Sequence, residues 1–410
     1  MITQVQKGKN YFYQISLAML VAMISIVGCK KTEETPKPTP VITEFKATSG
    51  WVGDVVTITG TDFGIDVANN IVKFGDKVAT VSTATITELK VSVPVGATTG
   101  KISVTVNGVT GTSTADFVVN TETVYIAGQG GYWKNKKFLK KGSGYGSSLV
   151  VVGNDVYYSY NNDIGNARDF NSGYFKNDVA VSNGSQTWVY AMVVVNNDVY
   201  LAGYEQNASL KNVAKYWKNG VGVSLTDGTK DAEIKAMQVV GADVYVTGTD
   251  GGNAKYWKNG VVTNLSNVLS QAYSIFVLGN DVYIGGSENI NNTVVPKYWK
   301  NGVVITLGSK DGLVYSIQVI GNDVYAVGRE LNSANTRSLA KYWKNGVSVN
   351  LTDGISGGGA YATSIQVVGN DVHIVGAETT RAKYWKNGVN VDIEGNSIDF
   401  SAANAVVVIP

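Results

Sequence analysis

A single unit repeats seven times between residue 120 and the end of this 410-residue chain. Its clearest mark is an aromatic pair whose second members are separated by 42, 42, 40, 42, 44 and 42 residues. The seven pairs are Tyr132-Trp133, Tyr174-Phe175, Tyr216-Trp217, Tyr256-Trp257, Tyr298-Trp299, Tyr342-Trp343 and Tyr384-Trp385. An Asp-Val-Tyr marker recurs in step and ends as Asp371-Val372-His373. A period of about 40 residues with several strand signals is typical of a β-propeller, so the sequence predicts a seven-bladed propeller over residues 120–410.

Each repeat contains four strand-like runs, which we name A, B, C and D. In one repeat these runs are residues 273–278, 282–285, 296–300 and 303–307. Asn301-Gly302 separates C from D, and this dipeptide is the strongest short hairpin signal because both turn positions need a positive φ. The repeats therefore predict four-stranded antiparallel sheets.

The two ends of the repeat region differ from its middle. The region opens at a B strand, residues 124–128, and closes with an A strand, residues 405–409. We therefore expect the last strand to complete the first blade, which removes the open edges of the array.

Alternating strand direction assigns the connections to two faces. The A–B and C–D turns share one face and are nearly identical in every repeat. The B–C and D–A loops share the other face, and the B–C loops vary from residues 128–131 to residues 161–173. Variable loops on a rigid scaffold are the usual place for binding.

The start of strand A should lie at the mouth of the central channel on the variable face. The residues predicted there are Tyr145, Trp188, Tyr190, Glu233, Lys235, Tyr273, Tyr315, Tyr361 and Asn404. Flat aromatic rings with a few polar groups suit sugars, which present apolar C–H faces and hydroxyl edges. The alternative is that these rings only pack, with their hydroxyls reaching solvent.

Residues that recur in every repeat are interpreted as structural. The Tyr and Trp of strand C would fill gaps between blades, and the Asp would stabilise its turn through its own backbone. A ring of calcium ions on the Asp residues is disfavoured, because the spacing lacks the oxygen ligands that calcium needs. His373 replaces a repeated Tyr, which favours a packed neutral imidazole over a catalytic base.

The second repeat is the most divergent, with Phe175 in place of Trp, Trp188 in its D–A loop and charged residues in its B–C loop. A pair of carboxylates for glycoside hydrolysis would have to come from Glu205, Glu288, Glu330, Glu378, Asp163 and Asp169. No spacing singles out two of these residues, and we expect neither a cofactor nor a metal.

Residues 41–119 show strong alternation of apolar and polar residues between Gly- and Asn-rich turns, which predicts a small β-sandwich. The segments Thr57-Ile58-Thr59-Gly60-Thr61-Asp62-Phe63-Gly64 and Val72-Lys73-Phe74-Gly75 carry a more specific signal. With them, the region resembles the IPT/TIG family of immunoglobulin-like domains. The resemblance implies a spacer domain, and we interpret Trp51 as packing at a strand edge.

The N-terminus is typical of an exported protein. Lys7 and Lys9 precede an apolar run, residues 15–27, which is too short to span a membrane and suits a signal peptide. The run ends in Ile26-Val27-Gly28-Cys29, which resembles the bacterial lipobox, and an acidic pair follows as in Bacteroidota lipoproteins. This resemblance implies a signal peptide at residues 1–28, a lipid on Cys29 and an extended tether at residues 29–40. The alternative is an ordinary signal peptide with an incidental cysteine.

Composition excludes several classes of function. One Cys and one His exclude a disulfide framework, multi-thiolate metal sites and three-His zinc sites. The formal charge is +2, and without Lys7 and Lys9 it is zero, which argues against nucleic acid.

The sequence as a whole predicts a monomeric, lipid-anchored outer-membrane protein. We expect it to face outward and to bind a glycan or an extracellular protein without catalysis. A periplasmic orientation, a carbohydrate-active hydrolase or lyase, and an adhesion scaffold are the alternatives.

Overall fold

The computed structural model describes residues 37–163, 170–334, 336–355, 358–393 and 402–410. The expected signal peptide, Cys29 and Asp169 lie outside these residues. The described part of the chain contains strands and one short 3₁₀ helix, so the all-β fold class is confirmed. Within it, no helix has the length and apolar character that a membrane crossing requires. The chain divides into two compact units, Met1–Asn120 and Thr121–Pro410.

The first unit has eight strands in the order β1-β3-β6-β5-β4-β7-β8-β2. The strands are β1 (Val41–Lys46), β2 (Ser49–Gly50), β3 (Val55–Thr61), β4 (Asn70–Phe74), β5 (Lys77–Ala84), β6 (Glu88–Ser92), β7 (Gly100–Val106) and β8 (Val109–Val119), with a 3₁₀ helix at Val67–Asn69. Alternate residues of β3 and β7 point inward, and Phe74 meets Phe117 edge to face at 4.9 Å between ring centres. Trp51 follows β2 directly and is only 5% exposed, which fits the expected packing.

The second unit begins with a sheet of seven strands. They are β9 (Thr123–Lys134), β10 (Lys137–Tyr145), β11 (Leu149–Val152), β12 (Asp155–Asp163), β13 (Phe170–Lys176), β14 (Val179–Ser185) and the C-terminal β35 (Ala403–Ile409). Their order is β14-β13-β12-β10-β9-β35, and β11 pairs with β12.

Five four-stranded sheets follow, each with its strands in sequence order. The third repeat comprises β15 (Thr187–Val195), β16 (Asp198–Gln206), β17 (Asn212–Lys218) and β18 (Val221–Ser224). The fourth comprises β19 (Ala232–Val240), β20 (Asp243–Asp250), β21 (Asn253–Lys258) and β22 (Val261–Asn264). The fifth comprises β23 (Ser270–Leu278), β24 (Asp281–Ile290), β25 (Thr293–Lys300) and β26 (Val303–Thr306). The sixth comprises β27 (Gly312–Ile320), β28 (Asp323–Leu331), β29 (Ser338–Lys344) and β30 (Val347–Asn350). The seventh comprises β31 (Ala360–Val368), β32 (Asp371–Glu378), β33 (Arg381–Lys386) and β34 (Val389–Val391).

The first two repeats share one sheet, so the expectation of seven separate sheets is wrong at this point. In the first repeat, β9 contains both the B and the C strand and folds back on itself, since the Asn135 amide donates to the Val124 carbonyl at 2.8 Å. β10 is then strand D of the first repeat, and its last residue, Tyr145, pairs with Asn161 of β12. This bridge joins the two repeats because β10 continues from strand D of the first repeat to Tyr145, where strand A of the second repeat would begin.

The expected long loop at residues 161–173 is also shorter than predicted. Asn161 pairs with Ser172, Asn162 with Asn171 and Asp163 with Phe170, so β12 and β13 extend well into it. Residues 164–169, at the tip, lie outside the described residues.

Tyr160 explains why strand A of the second repeat is interrupted. The other six repeats have glycine at this position of strand B: Gly128, Gly203, Gly248, Gly286, Gly328 and Gly376. From Gly203 onward, a Cβ on these glycines would lie only 1.8–2.0 Å from a carbonyl oxygen of strand A. Tyr160 has a Cβ, so strand A cannot approach it as closely, and the pairing breaks between Tyr145 and Leu149.

The C-terminal strand pairs with the first repeat as the sequence predicts. Within β35, Val406 lies opposite Ile126 and Val408 opposite Val124, in antiparallel register. The A strands also lie beside one another in succession: β15, β19, β23, β27, β31 and β35. β11 lies beside both β35 and β15.

Candidate functional site

The tight-turn face is held by one hydrogen-bonded motif in all seven repeats. The Asn of each C–D turn accepts the backbone N–H of the Val that opens strand B, as in Asn219 with Val199 at 2.9 Å. In six repeats, its side-chain amide also donates to the repeated Asp, as in Asn219 with Asp198 at 2.7 Å. The Asp therefore links two turns rather than bonding only its own backbone, which corrects the sequence interpretation.

A lysine of strand C completes this motif. Lys218 lies 2.8 Å from the Asp198 carboxylate, and its ammonium lies 5.3 Å from the centre of the Tyr200 ring. These neighbours hold the pKa of Asp198 below its ordinary value, mainly through the hydrogen bond from Lys218. The repeated Asn, Asp and Lys side chains therefore bond one another, as expected of residues that hold the scaffold.

The variable face is shaped by a β-bulge in strand A. In β15, Val189 pairs with Gly203 and Ala191 pairs with Ala202, so Tyr190 is an extra residue. The same shift in the later A strands places Lys235, Tyr273, Tyr315, Thr363 and Asn404 at the bulge. A bulge redirects its side chain, and these six side chains converge on one pocket.

The pocket has a volume of about 350 Å³. The six bulge residues line it together with Tyr145, Gly146, Ser147, Asn161 and Trp188. Ser147 occupies the position of Tyr190 in the second repeat, since both lie eight residues before the repeated Asp. One residue from the same position of every repeat therefore faces the pocket.

One side of the pocket holds a charged corner. The Lys235 ammonium lies 2.8 Å from the Glu233 carboxylate and 3.6 Å from the centre of the Tyr190 ring. The Tyr190 hydroxyl donates to the other oxygen of Glu233 at 3.2 Å. Burial lowers the pKa of Lys235, and burial together with the charge of Glu233 raises the pKa of Tyr190. The corner presents one cation and one anion in contact.

The side of the pocket next to this corner is aromatic. The rings of Tyr273 and Tyr315 lie 5.3 Å apart, and those of Tyr315 and Tyr361 lie 6.0 Å apart. Burial, with smaller effects from Tyr315 and Glu233, raises the pKa of Tyr273 to about 12. The rings are tilted by 54–59° rather than coplanar, so they form a curved wall.

Trp188 lies between two further aromatic residues, Tyr145 and Tyr190. Its ring centre lies 6.4 Å from those of Tyr145 and Tyr190. Tyr145 is 50% exposed, whereas Trp188 and Tyr190 are half-buried. This arrangement leaves ring edges and faces accessible to a ligand in the pocket.

Small polar residues close the remaining sector. The Ser147 hydroxyl donates to the Val189 carbonyl at 2.8 Å, and the Asn404 amide donates to the Gly146 carbonyl at 2.7 Å. The Thr363 hydroxyl donates to the Ala403 carbonyl at 2.5 Å. These bonds fix the side chains, and each oxygen keeps acceptor capacity toward the pocket.

The structure brings most of the sequence-predicted residues together. Glu233 and Tyr361 do not line the pocket but contact residues that do, Lys235 and Tyr315. Sequence reasoning missed Ser147, Asn161 and Thr363. Counting eight residues back from each repeated Asp would have found Ser147 and Thr363, and only the extension of β12 reveals Asn161.

The candidate catalytic carboxylates of strand B pair with lysines of strand C. The pairs are Glu205–Lys215, Glu288–Lys297, Glu330–Lys341 and Glu378–Lys383. They recur at corresponding ends of successive sheets and do not line the pocket. Asp163 ends β12 and is exposed.

One cluster combines metal-ligating side chains: Glu122, Asp371 and His373. The Lys386 ammonium lies 2.5 Å from Glu122 and 3.0 Å from Asp371, and thus supplies a cation to both carboxylates. The Nδ1 atom of His373 lies 2.8 Å from the Tyr384 hydroxyl, and burial lowers the pKa of the imidazole. This arrangement fits a packed neutral histidine better than a metal ligand.

Residues 40–119 match the family model described as the IPT/TIG domain. This part of the chain is an IPT/TIG domain. The match spans β1 to β8, so the resemblance seen in the Gly-rich motifs of this region is confirmed. No curated protein matches the chain.

Solved structures that a structural comparison matches to this chain include three Bacteroides proteins. A protein of unknown function from Bacteroides thetaiotaomicron has 16% identity and a TM-score of 0.36, with 83% of this chain and 96% of that one covered. An auxiliary nutrient-binding protein from the same organism has 12% identity and a TM-score of 0.28, with 87% and 85% covered. One from Bacteroides ovatus has 14% identity and a TM-score of 0.29, with 90% of each chain covered.

Proposed function

We propose that the second unit is a seven-bladed β-propeller that binds a glycan in the pocket formed by the A-strand bulges. The protein would bind without catalysing a reaction and would be displayed by a lipid on Cys29. The observation that carries the proposal is the convergence of one bulge-position side chain from each repeat on a single pocket.

The order of the A strands supports a closed propeller. Each A strand from β15 to β31 lies beside the next, β35 follows β31, and β11 lies beside both β35 and β15. The pairing of β35 with β9 gives the first repeat its A strand from the other end of the chain. Closure of this kind protects strand edges that an open array would expose.

Variation among equivalent residues supports a binding role. The repeated Asn, Asp and Lys residues of the turns change little between repeats, as scaffold requires. The bulge position, by contrast, is Ser147, Tyr190, Lys235, Tyr273, Tyr315, Thr363 and Asn404 in successive repeats. A position that is geometrically equivalent but chemically different in each repeat suits an asymmetric ligand.

The chemistry of the pocket favours a neutral sugar. Tyr273 and Tyr315 offer apolar ring surface to the C–H face of a pyranose. Lys235, held by Glu233, can donate to hydroxyl groups of the sugar, and charge-assisted hydrogen bonds are the strong ones. Since the two charges lie 2.8 Å apart and offset each other, the corner gives little preference for an ionic ligand.

The engagement of the carboxylates favours binding over hydrolysis. A glycosidase needs two carboxyl groups about 5–10 Å apart across the scissile bond. Glu233 lies beside the pocket and accepts from both Lys235 and Tyr190. The candidates of strand B, Glu205, Glu288, Glu330 and Glu378, pair with strand-C lysines and do not line the pocket.

The N-terminal sequence supports display at the outer membrane. A lipid on Cys29 would anchor the chain, residues 30–40 would extend from it, and the IPT/TIG domain would act as a spacer. We propose that the protein faces outward. Display of many copies would raise the avidity for a polymeric glycan.

A glycan array with matched variants tests the function. Trp188→Ala removes a ring from the pocket, and Tyr256→Ala removes a ring of strand C that does not line it. We expect Trp188→Ala to weaken the glycan signal at least about tenfold, equivalent to about 1.4 kcal/mol, and Tyr256→Ala to leave it unchanged. Absence of any glycan signal from the wild-type protein, or equal signals from both variants, would overturn the proposal in favour of a protein ligand.

A further inference from the structure

A second cavity lies between the first two repeats and has a volume of about 260 Å³. Its wall includes Tyr158, Tyr160 and Asn162 of β12, Phe175 of β13 and Ala180 of β14. Side chains alternate across a strand, so these three β12 residues share one face. Asn161 points the other way and lines the first pocket.

The cavity exists where the second repeat departs from the other six. Its strand C carries Phe175 where every other repeat has Trp, and its strand B carries Tyr160 where every other repeat has Gly. In the fifth repeat, a Cβ on Gly286 would lie 3.0 Å from the Trp299 ring, so the indole covers the glycine. The tryptophans at this position are at most 4% exposed.

The two side chains that differ from the other repeats, Tyr160 and Phe175, contact each other. The rings of Tyr160 and Phe175 lie 5.1 Å apart, and Tyr158 lies 6.4 Å from Phe175 with its ring nearly parallel. The Tyr158 hydroxyl donates to the Gly128 carbonyl at 2.6 Å, which fixes this ring against the first repeat. Three aromatic rings thus surround a space that a single indole closes elsewhere.

The residue opposite the ring of strand C is small in this repeat, as are Gly222 in the third repeat and Ser348 in the sixth. Ala180 pairs with Phe175, whereas Phe138 pairs with Trp133 in the first repeat and packs against it at 4.8 Å. Ala180 therefore leaves the mouth of the cavity open. The side chains that line it are aromatic, small or amide, and none carries a charge.

We propose that this cavity is a second carbohydrate site that takes one neutral pyranose ring. The aromatic rings would contact the C–H face of the sugar, and the Asn162 amide and Tyr160 hydroxyl would bond its hydroxyls. The volume lies just below the roughly 300 Å³ at which pockets for larger ligands begin, so a single ring fits better than a chain. The site and the first pocket have no lining residue in common, and the paired residues Tyr145 and Asn161 line only the first pocket.

The test uses NMR titration of the protein with the methyl glycosides of glucose, galactose, mannose and N-acetylglucosamine. Ala180→Phe fills the mouth with the residue of the first repeat, and Ser348→Phe makes the matched change in the sixth repeat, opposite Trp343. We expect Ala180→Phe to weaken binding of the preferred glycoside at least about tenfold, and Ser348→Phe to leave that binding unchanged. Tyr160→Phe removes only the hydroxyl and should weaken it about threefold, in line with one neutral hydrogen bond.

Three results would overturn the proposal. One is that no glycoside binds the wild-type protein at about 10 mM, well above a millimolar Kd. Another is that Ala180→Phe, folded as judged by thermal unfolding, binds as well as Ser348→Phe does. The third is loss of the glycoside signal in Trp188→Ala, which would assign the binding to the first pocket. Failure of the first pocket to bind glycans would not affect these outcomes.

Discussion

The Lys235 ammonium lies over the Tyr190 ring, 3.6 Å from its centre, while Glu233 accepts from both residues. The side chains of Lys235 and Glu233 are only 16% and 25% exposed. The charge pair lies within β19, and Tyr190 of the neighbouring strand β15 contacts both of its members at the edge of the pocket. Removing one partner leaves the other charge poorly solvated, whereas removing both does not.

This relationship predicts non-additive effects on stability. Lys235→Met should lower the free energy of unfolding by about 2 kcal/mol because Glu233 is left partly buried without its cation. The double variant Lys235→Met/Glu233→Gln should lie within about 1 kcal/mol of wild type. Denaturant unfolding of the four proteins of the cycle measures the coupling, and additive losses would contradict it.

His373 predicts a pH dependence that the other repeats lack. Burial holds its pKa below the ordinary value of 6.5, so the unfolded chain binds the proton more tightly than the folded one. Stability should therefore fall as the pH drops below about 6.5, by up to about 1.4 kcal/mol per pH unit. Tyr384, Lys386, Glu122 and Asp371 face the imidazole.

Thermal unfolding between pH 5 and 7 would check this prediction against His373→Tyr, which restores the residue of the other repeats. The variant should lose most of the slope in this window, since the carboxylates with lowered pKa values titrate at lower pH. Parallel profiles for the two proteins would show that His373 is not the cause.

Strand A approaches the strand-B glycines closely, which predicts a large loss of stability when one of these glycines is replaced by alanine. In Gly286→Ala, the new Cβ would lie 1.9 Å from the Gln271 carbonyl oxygen, so strand A must move. We expect a loss of about 3 kcal/mol, because backbone rather than a flexible side chain has to shift. Val303→Ala, in the exposed strand D of the same repeat, should change stability by less than about 0.5 kcal/mol. Comparable losses in both variants would refute the close approach as the cause.

Periodicity in the sequence was enough to predict strand order, turn positions and the pairing of the last strand with the first repeat. The Asn-Gly turns and the aromatic pairs recur with little variation, so each repeat confirms the assignment of the others. The β-bulge could not be seen in the same way. No residue type marks Tyr190, Lys235 and Thr363 as equivalent, because the bulge comes from the backbone and leaves the side chain free to vary.

The second repeat shows another limit of prediction from the sequence. Phe175 was recognised as a departure from the Trp pattern, but its partner change at Tyr160 was not. The consequence depends on a contact between strands B and C, since the ring of Tyr160 occupies space that glycine leaves to an indole elsewhere. A list of aligned repeats shows each change separately, whereas only the fold shows that they meet.

The lipid that we propose on Cys29 predicts a change in partitioning between detergent and water. Wild-type protein from a bacterium with lipoprotein export should enter the detergent phase of a phase-separating detergent. Cys29→Ser should stay in the aqueous phase, since loss of acyl chains removes about 0.8 kcal/mol of membrane affinity per buried CH₂. Detergent partitioning of the serine variant would argue for another means of membrane attachment.

A crystal structure of the protein with the best glycan from the array would test the central claim most directly. The account predicts a sugar ring in the pocket, in contact with Tyr273 or Trp188, with a hydroxyl bonded to the Lys235–Glu233 pair. A glycan bound only on the tight-turn face or on the IPT/TIG domain would contradict the account.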